Sequence, residues 1–145
     1  MKIRVKKLAD DVVLPKYETP GAACFDFCAH LDKPYVLKAG ERYAVPTGLI
    51  YEIPEGYELQ VRARSGLSAR NGITMANGIG TIDSDYRGEL FVSLVNLSKE
   101  DFVIEPGMRI AQGLFRQVEQ VSFEVTDEEF SETERNKKGF GSTGV

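Results

Sequence analysis

Apolar and polar residues alternate along much of the chain with a period of two. The clearest run covers residues 57–64, where apolar side chains at odd positions alternate with charged or amide side chains at even positions. Alternation of this kind is typical of a β-strand with one buried face. Further strands are predicted by shorter runs of the same character at residues 3–7, 43–45, 49–53, 90–95, 102–104, 110–115 and 121–125.

Turn-forming residues separate these runs. Glycine, proline and asparagine cluster at residues 38–41, 54–56, 71–72, 77–78 and 105–107. Many short strands at regular spacing indicate an all-β sandwich, jelly roll or barrel. One short helix is also predicted, with Ser65 as the N-cap of residues 66–70 and Asn71-Gly72 ending it in a left-handed conformation.

Length and charge describe an ordinary soluble domain. The chain has 145 residues, 28% of them charged, and a formal net charge of −4. This acidic balance disfavours a general nucleic-acid coat, so no nucleic-acid partner is expected. No apolar run approaches the roughly 18 residues of a membrane-spanning helix, and no signal peptide is recognised. We expect a cytoplasmic location, while a nuclear or organellar one stays open.

Two cysteines and one histidine limit the metal chemistry. Cys24 and Cys28 lie four residues apart and, in one strand, about 13 Å from each other, too far for a disulfide. Together with His30 they lack the fourth ligand of a structural zinc site. Free thiols are therefore expected.

An anion site is one interpretation of Arg64-Ser65-Gly66. The three residues lie where a predicted strand ends and the short helix begins, so that N–H groups, a hydroxyl and a guanidinium face one point. A simple capping serine is the alternative.

The segment 77–88 is a second candidate for chemistry. Asn77-Gly78 predicts a β-hairpin, whose backbone offers donors and acceptors to a base edge. Asp83 and Asp85, two apart in a strand, would share a face about 7 Å from each other, and one of them is a candidate general base. A solvated acidic turn is the alternative, and Tyr86 fits either a core position or stacking on a sugar.

Charged side chains in two other strands suggest ligand contacts. Arg109 and Gln112 flank an apolar pair, and Arg109 fits a structural ion pair as well as a ligand contact. Asp26, between two phenylalanines, is a candidate for holding a hydrated Mg²⁺.

The C-terminal residues differ in composition from the rest. Residues 131–138 are polar and charged, and residues 139–144 contain three glycines around Phe140. A frayed terminus is one interpretation. The other is a segment that closes over a ligand, with Phe140 stacking on a base. We expect a β domain at residues 1–130 and a flexible C-terminal arm at 131–145 that closes over the active site.

Five segments, taken in order, resemble the five motifs of the trimeric dUTPase family. They are residues 22–29, 63–66, 78–88, 107–112 and 135–144. The most specific strings are TIDSDYRG at 81–88 and GFGSTG at 139–144. The resemblance implies a distorted jelly-roll or β-clip barrel, and a homotrimer with active sites at subunit interfaces. It also implies an enzyme that uses Mg²⁺ to hydrolyse dUTP to dUMP and pyrophosphate, which keeps uracil out of DNA and supplies dUMP for thymidylate synthesis.

The resemblance also assigns roles to residues. Asp83 matches the base that activates the water attacking the α-phosphorus, and Asp26 matches an acid that contacts Mg²⁺ through water. Phosphate contacts match Arg64, Ser65, Gly66 and Gln112. Contacts to the nucleoside match Asn77, Gly80, Thr81, Ile82, Tyr86 and Phe91, with Tyr86 beneath the deoxyribose. The arm contributes Arg135 as an arginine finger, Phe140 stacked on uracil, and Gly141, Ser142 and Thr143 as a phosphate clamp.

Several positions depart from the family pattern. Ala63 stands where proline is common, Met108 where an acid is usual, and Asn136 where glycine is usual. Two rival functions are the alternatives to this one. A dCTP deaminase of the same fold has a glutamate where this chain has Ser93, and the other rival is a trimer that binds dUTP or a partner without catalysis.

Overall fold

The computed structural model describes residues 1–139. It contains eleven β-strands and, within those residues, one short helix. The strands are β1 (Arg4–Lys7), β2 (Phe25–Cys28), β3 (Tyr35–Leu37), β4 (Arg42–Pro46), β5 (Leu49–Glu52), β6 (Tyr57–Arg62), β7 (Ile73–Met75), β8 (Ile79–Ile82), β9 (Phe91–Asn96), β10 (Phe102–Ile104) and β11 (Arg109–Gln117). The helix α1 spans Ser65–Asn71.

All strand pairs of the described chain are antiparallel, and the strands form four sheets. The largest has the order β2-β11-β6-β8, and a second has the order β4-β9-β7. The pairs β1-β5 and β3-β10 complete the set. The prediction of an all-β, jelly-roll-like fold with one short helical segment is confirmed, although the strands of residues 1–139 do not close into a single barrel.

The sheets pack around a core formed by the inward-facing side chains, which are every second residue along a strand. In β6, Leu59 and Val61 are buried, while the residues between them belong to the opposite face. Phe27, Leu94 and Ile110 are buried from β2, β9 and β11. Burial of such side chains is the main favourable term in folding, about 1.5–3 kcal/mol for each large one. The period of two in the sequence therefore arises because one face of each such strand packs against this core.

The predicted elements contain two kinds of error, namely two short strands that were missed and one predicted strand that is absent. The three-residue strands β3 and β7 were not predicted, whereas the equally short β10 was. The predicted strand at residues 121–125 is wrong. Residues 118–139 contain no strand, and Phe123 and Val125 are 94% and 96% exposed. A strand needs a hydrogen-bonding neighbour, and the described part of the chain offers none here.

The helix ends as predicted but begins differently. Gly72 has φ +68° and ends α1 in the left-handed conformation. The predicted N-cap is wrong by one residue, because the extended Arg64 is the N-cap and its side chain makes no capping hydrogen bond.

The turn at Asn77-Gly78 joins two sheets and does not form a hairpin. The Gly78 N–H donates to the Met75 carbonyl at 3.2 Å, but β7 pairs with β9 while β8 pairs with β6. Gly78 itself has φ +72°. This geometry is that of a turn followed by a left-handed glycine, so the predicted hairpin is corrected to a crossing between sheets.

In residues 1–139, no helix is long and apolar enough to cross a membrane. Cys24 and Cys28 are free thiols, as expected.

Candidate active site

The four-stranded sheet brings three polar side chains into one row. Gln112 on β11 lies opposite Asp26 on β2 and opposite Arg62 on β6. Residues directly opposite each other on antiparallel strands share a face of the sheet. Arg64 lies two residues after the end of β6, so this strand places Arg64 close to the row.

An ion-pair cluster centres on Asp26. Its Oδ1 accepts a hydrogen bond from Arg64 Nε at 3.1 Å, and its Oδ2 accepts one from Arg109 Nη1 at 3.2 Å. The Asp26 side chain is only 14% exposed, against 28% for Arg64 and 46% for Arg109. Arg109 also lies 3.5 Å from Glu18. Within the cluster, the charges of Arg64 and Arg109 are balanced by those of Asp26 and Glu18.

This cluster lines a cavity of about 560 Å³, which we call the arginine cavity. It contains three arginines and two carboxylates: Arg64, Arg70, Arg109, Glu18 and Asp26. Also on its wall are Ser65 and Gly66 in the first turn of α1, with Gln112 and Cys24. The first N–H groups of a helix have no partner inside the helix. The structure therefore brings together all four predicted phosphate contacts.

Gln112 has a contact that sequence did not indicate. Its Nε2 donates to the Ala63 carbonyl at 2.8 Å. This bond fixes the main chain between β6 and Arg64. The Gln112 amide therefore supports the wall of the cavity.

Asp83 lies in a different cavity, which we call the acidic cavity. It has a volume of about 790 Å³ and is lined by Asp83, Asp85, Glu55, Glu58 and Arg87, among others. Within residues 1–139, it shares no lining residue with the arginine cavity. The structure of one chain thus separates the candidate base from the candidate phosphate site.

The two aspartates do not share a strand face. β8 ends at Ile82, and the Tyr86 N–H donates to the Asp83 carbonyl at 3.2 Å. Asp83 therefore opens a turn that contains Asp85, and the expectation of a common strand face is wrong. Both residues are exposed.

The predicted nucleoside contacts lie on the turn at residues 77–78, on β8, in the turn after β8 and at the start of β9. The Asn77 amide nitrogen would lie 3.3 Å from a Cβ placed on the buried Gly80. Thr81 is exposed and lines the acidic cavity, and Ile82 is half-buried. Tyr86 and Phe91 are 44% and 48% exposed.

The arm residues up to position 139, the part of the arm that the structure describes, line neither cavity. Arg135 Nε donates to the Lys138 carbonyl at 3.2 Å, within a local turn. Asn136 adopts φ +43°, a conformation that favours glycine and, after it, asparagine. This accounts for Asn136 at a position where the family pattern has glycine. The predicted contacts of Phe140, Gly141, Ser142 and Thr143 lie outside the described residues.

The donor set suits a metal ion that arrives with a ligand. In the described part of the chain, no three His, Cys, Asp or Glu residues are grouped as metal ligands. Mg²⁺ is commonly held by one or two carboxylates together with phosphates and waters. Both Asp26 oxygens already accept from arginines, so Asp26 fits a contact through water.

Sequence reasoning missed several residues of the arginine cavity. Arg70 lies four residues after Gly66 on α1, and helical spacing would have placed the two on one face. Glu18 and Cys24 gave no such signal. Burial raises the pKa of the neighbouring Cys28 thiol, and the Asp26 carboxylate acts in the same direction.

Comparisons with known proteins agree with one another. A family model described as dUTPase matches residues 10–144. A deoxyuridine 5'-triphosphate nucleotidohydrolase from Fusobacterium nucleatum is 54% identical over 144 residues, which are 99% of this chain and 98% of the relative. The Staphylococcus bacteriophage 80alpha dUTPase, solved with dUPNHPP, matches with a TM-score of 0.85 and 26% identity over 99% of both chains. A dUTPase of phage phi11, described for its coordination of a structural Mg(II) ion, matches with a TM-score of 0.81 and 20% identity over 90% of this chain and 100% of that one.

Proposed function

The chain belongs to the dUTPase family and is a dUTP diphosphatase, and from this premise we propose how its residues divide the reaction. The arginine cavity holds the triphosphate, and Asp83 activates the attacking water. The two cavities that form one active site come from different copies of the chain. The observation that carries this proposal is the separation of the two cavities within one chain.

The arginine cavity suits a polyanion. Three arginines face two carboxylates there, and the first turn of α1 adds backbone N–H groups. A triphosphate carries about four negative charges at pH 7, too many to bury without partners. Arg64 and Arg109 are already oriented by Asp26, so the charge of the phosphates meets donors whose positions are set. Cations directed at the outer phosphates favour departure of pyrophosphate.

Asp83 is the general base of the proposal. Its carboxylate accepts a proton from a water molecule, whose oxygen bonds to the α-phosphorus. The bond from the α-phosphorus to the oxygen bridging to the β-phosphorus breaks, and its electrons leave with pyrophosphate. Activation of this kind contributes about 10²–10⁴-fold to a rate. Asp83 is exposed and follows β8 directly, which suits a base that must meet a water.

The crossing between β7 and β8 forms the proposed uracil site. Asn77 and the backbone of residues 80–82 offer donors and acceptors to the edge of the base. Gly80 has no side chain to fill the space beside Asn77 and Val61. Tyr86 packs beneath the deoxyribose, where it leaves no room for a 2′-hydroxyl, and Phe91 adds a further contact.

Mg²⁺ is the proposed metal, carried by the substrate. Asp26 would contact it through water. When bound, the ion neutralises charge on the phosphates, a role typical of Mg²⁺ in phosphoryl transfer.

A homotrimer is the proposed assembly. The described single chain leaves Val121, Phe123 and Val125 exposed at alternating positions, and such apolar runs are commonly covered in assemblies. We propose that a second copy covers them.

We further propose that residues 1–130 form the β domain and that residues 131–145 form an arm that closes over the site. In the closed arm, Arg135, Phe140, Gly141, Ser142 and Thr143 contact the nucleotide.

Replacement of Asp83 tests the assigned base. Asp83→Asn keeps the size of the side chain but removes its basicity, so pyrophosphate release from dUTP should fall by about 10²–10⁴-fold. Binding of dUPNHPP should stay close to that of the unchanged protein. Asp85→Asn is the matched control, and we expect its turnover to change by less than about tenfold. Turnover of Asp83→Asn equal to that of the control would overturn the assignment. Assays with dCTP, dTTP and UTP, with and without Mg²⁺, define substrate and metal.

A further inference from the structure

Glu89 connects the loop that carries Asp83 and Tyr86 to the turn between β4 and β5. Its Oε1 accepts a hydrogen bond from the backbone N–H of Gly48 at 2.8 Å. Its backbone carbonyl accepts a hydrogen bond from the Tyr86 hydroxyl at 2.9 Å. One residue thus holds the β4–β5 turn with its side chain and the Tyr86 ring with its main chain.

The main chain after Glu89 is fixed in the core. Leu90 is 1% exposed, and its N–H donates to the Leu49 carbonyl at 2.8 Å. Its carbonyl accepts from the Oγ1 of the buried Thr47 at 2.7 Å. Buried hydrogen bonds of this kind are expensive to break. The Glu89 carbonyl that accepts from the Tyr86 hydroxyl therefore lies between two anchors, the buried Leu90 main chain and the side-chain bond to Gly48.

Gly88 lies directly against the Tyr86 ring. A Cβ at position 88 would lie 2.3 Å from the Tyr86 hydroxyl oxygen and 2.5 Å from Cζ. Real Cβ atoms do not approach other atoms this closely, so any side chain there displaces the ring. Gly88 has no positive φ, so its requirement for glycine comes from space and not from backbone strain.

We propose that Glu89 and Gly88 are positioning residues that hold the Tyr86 ring and thereby set the discrimination between deoxyribose and ribose nucleotides. The inference rests on the proposed function, in which Tyr86 packs beneath the sugar. A ring that excludes one hydroxyl group must be held within a fraction of an ångström, because a small displacement opens space for that oxygen. Misplacement of about 1 Å can change rates by about 10²-fold.

The test compares dUTP with UTP by the ratio of their kcat/KM values. Gly88→Ala displaces the ring, and Glu89→Ala releases the β4–β5 turn from the loop. We expect the ratio to fall at least about tenfold in both, because UTP gains while kcat for dUTP changes far less. Glu89→Gln keeps an oxygen that accepts from Gly48, so its ratio should stay near that of the unchanged protein.

Gly21→Ala is the matched glycine control. A Cβ there meets no atom within 4 Å, and Gly21 has no positive φ. Its ratio should therefore not change. Tyr86→Phe removes only the hydroxyl and provides a second test if Glu89→Ala does not fold. We expect its ratio to fall by about tenfold as well.

Tyr86→Ala separates failure of this inference from failure of the proposed function. An unchanged ratio in Tyr86→Ala shows that Tyr86 does not exclude the ribose, and the inference falls together with that part of the proposal. A lower ratio in Tyr86→Ala beside unchanged ratios in Gly88→Ala and Tyr86→Phe overturns the inference alone. So does an equal loss of kcat/KM for both nucleotides in Gly88→Ala, which indicates a purely structural role.

Discussion

Arg64 and Asp26 form a hydrogen-bonded ion pair over 3.1 Å, although they lie 38 positions apart in the sequence. The pair depends on the antiparallel register that sets β2 beside β11 and β11 beside β6. Arg64 is thereby oriented into the arginine cavity before any ligand binds. Preorganised donors of this kind avoid the cost of reorganisation during the reaction.

Removal of the Asp26 charge should disturb both arginines. Asp26→Asn leaves Arg64 and Arg109 without their shared anion, so we expect the free energy of unfolding to fall by about 1–2 kcal/mol. Loss of the fixed guanidinium positions should lower kcat/KM for dUTP by about tenfold or more. Urea unfolding and steady-state kinetics measure the two effects. The control is Asp32→Asn, at an exposed aspartate, and equal behaviour of the two variants would show that the pair does not orient the site.

The two cysteines should react differently. Burial raises the pKa of Cys28, so at a given pH it has less of the thiolate, the form that is alkylated. In Cys24→Ser, alkylation of Cys28 by iodoacetamide should be slower than that of a fully exposed cysteine in a peptide and should increase only at higher pH. In Cys28→Ser, dUPNHPP should slow alkylation of Cys24, which lines the arginine cavity. Equal protection of both thiols by the nucleotide would contradict the assignment of that cavity.

The C-terminal arm should be needed for turnover but not for folding. Side chains at residues 116–139 are all exposed, so the core does not depend on this part of the chain. Deletion of residues 139–145 should keep the unfolding midpoint while turnover falls at least about tenfold, as expected for a segment that closes over a site. Thermal unfolding and pyrophosphate release measure this. Full turnover in the shortened chain would identify the arm as a frayed terminus.

The sequence predicted the long elements better than the short ones. In β6, alternation of Leu59 and Val61 with polar neighbours was sufficient, because a strand of six residues repeats its period. The three-residue strands β3 and β7 pair with β10 and β9, and neither was predicted, although the equally short β10 was. The run at 121–125 has the pattern but no partner in the described chain.

The candidate site was predicted as a set of residues but not as an arrangement. The strings around Arg64 and Asp83 were recognised from the sequence. Their separation into two cavities depends on sheet order, and the ion pair of Arg109 with Glu18 lies beside a register shift between Arg109 and Ala111. Neither the sheet order nor a bulge has a local sequence signal that would have revealed these contacts.

The most direct test of an active site shared between copies is recovery of activity in mixed assemblies. Arg64→Gln disables the arginine cavity, and Asp83→Asn disables the acidic cavity. Each variant alone should therefore be nearly inactive. Equal amounts are unfolded together and refolded together, and pyrophosphate release from dUTP is measured. With random mixing in a cyclic assembly, roughly a quarter of the sites combine two unchanged cavities, and we predict recovery of about that fraction of activity. Activity no higher than that of the separately refolded variants would contradict the account, because it would place both cavities of each site in one chain.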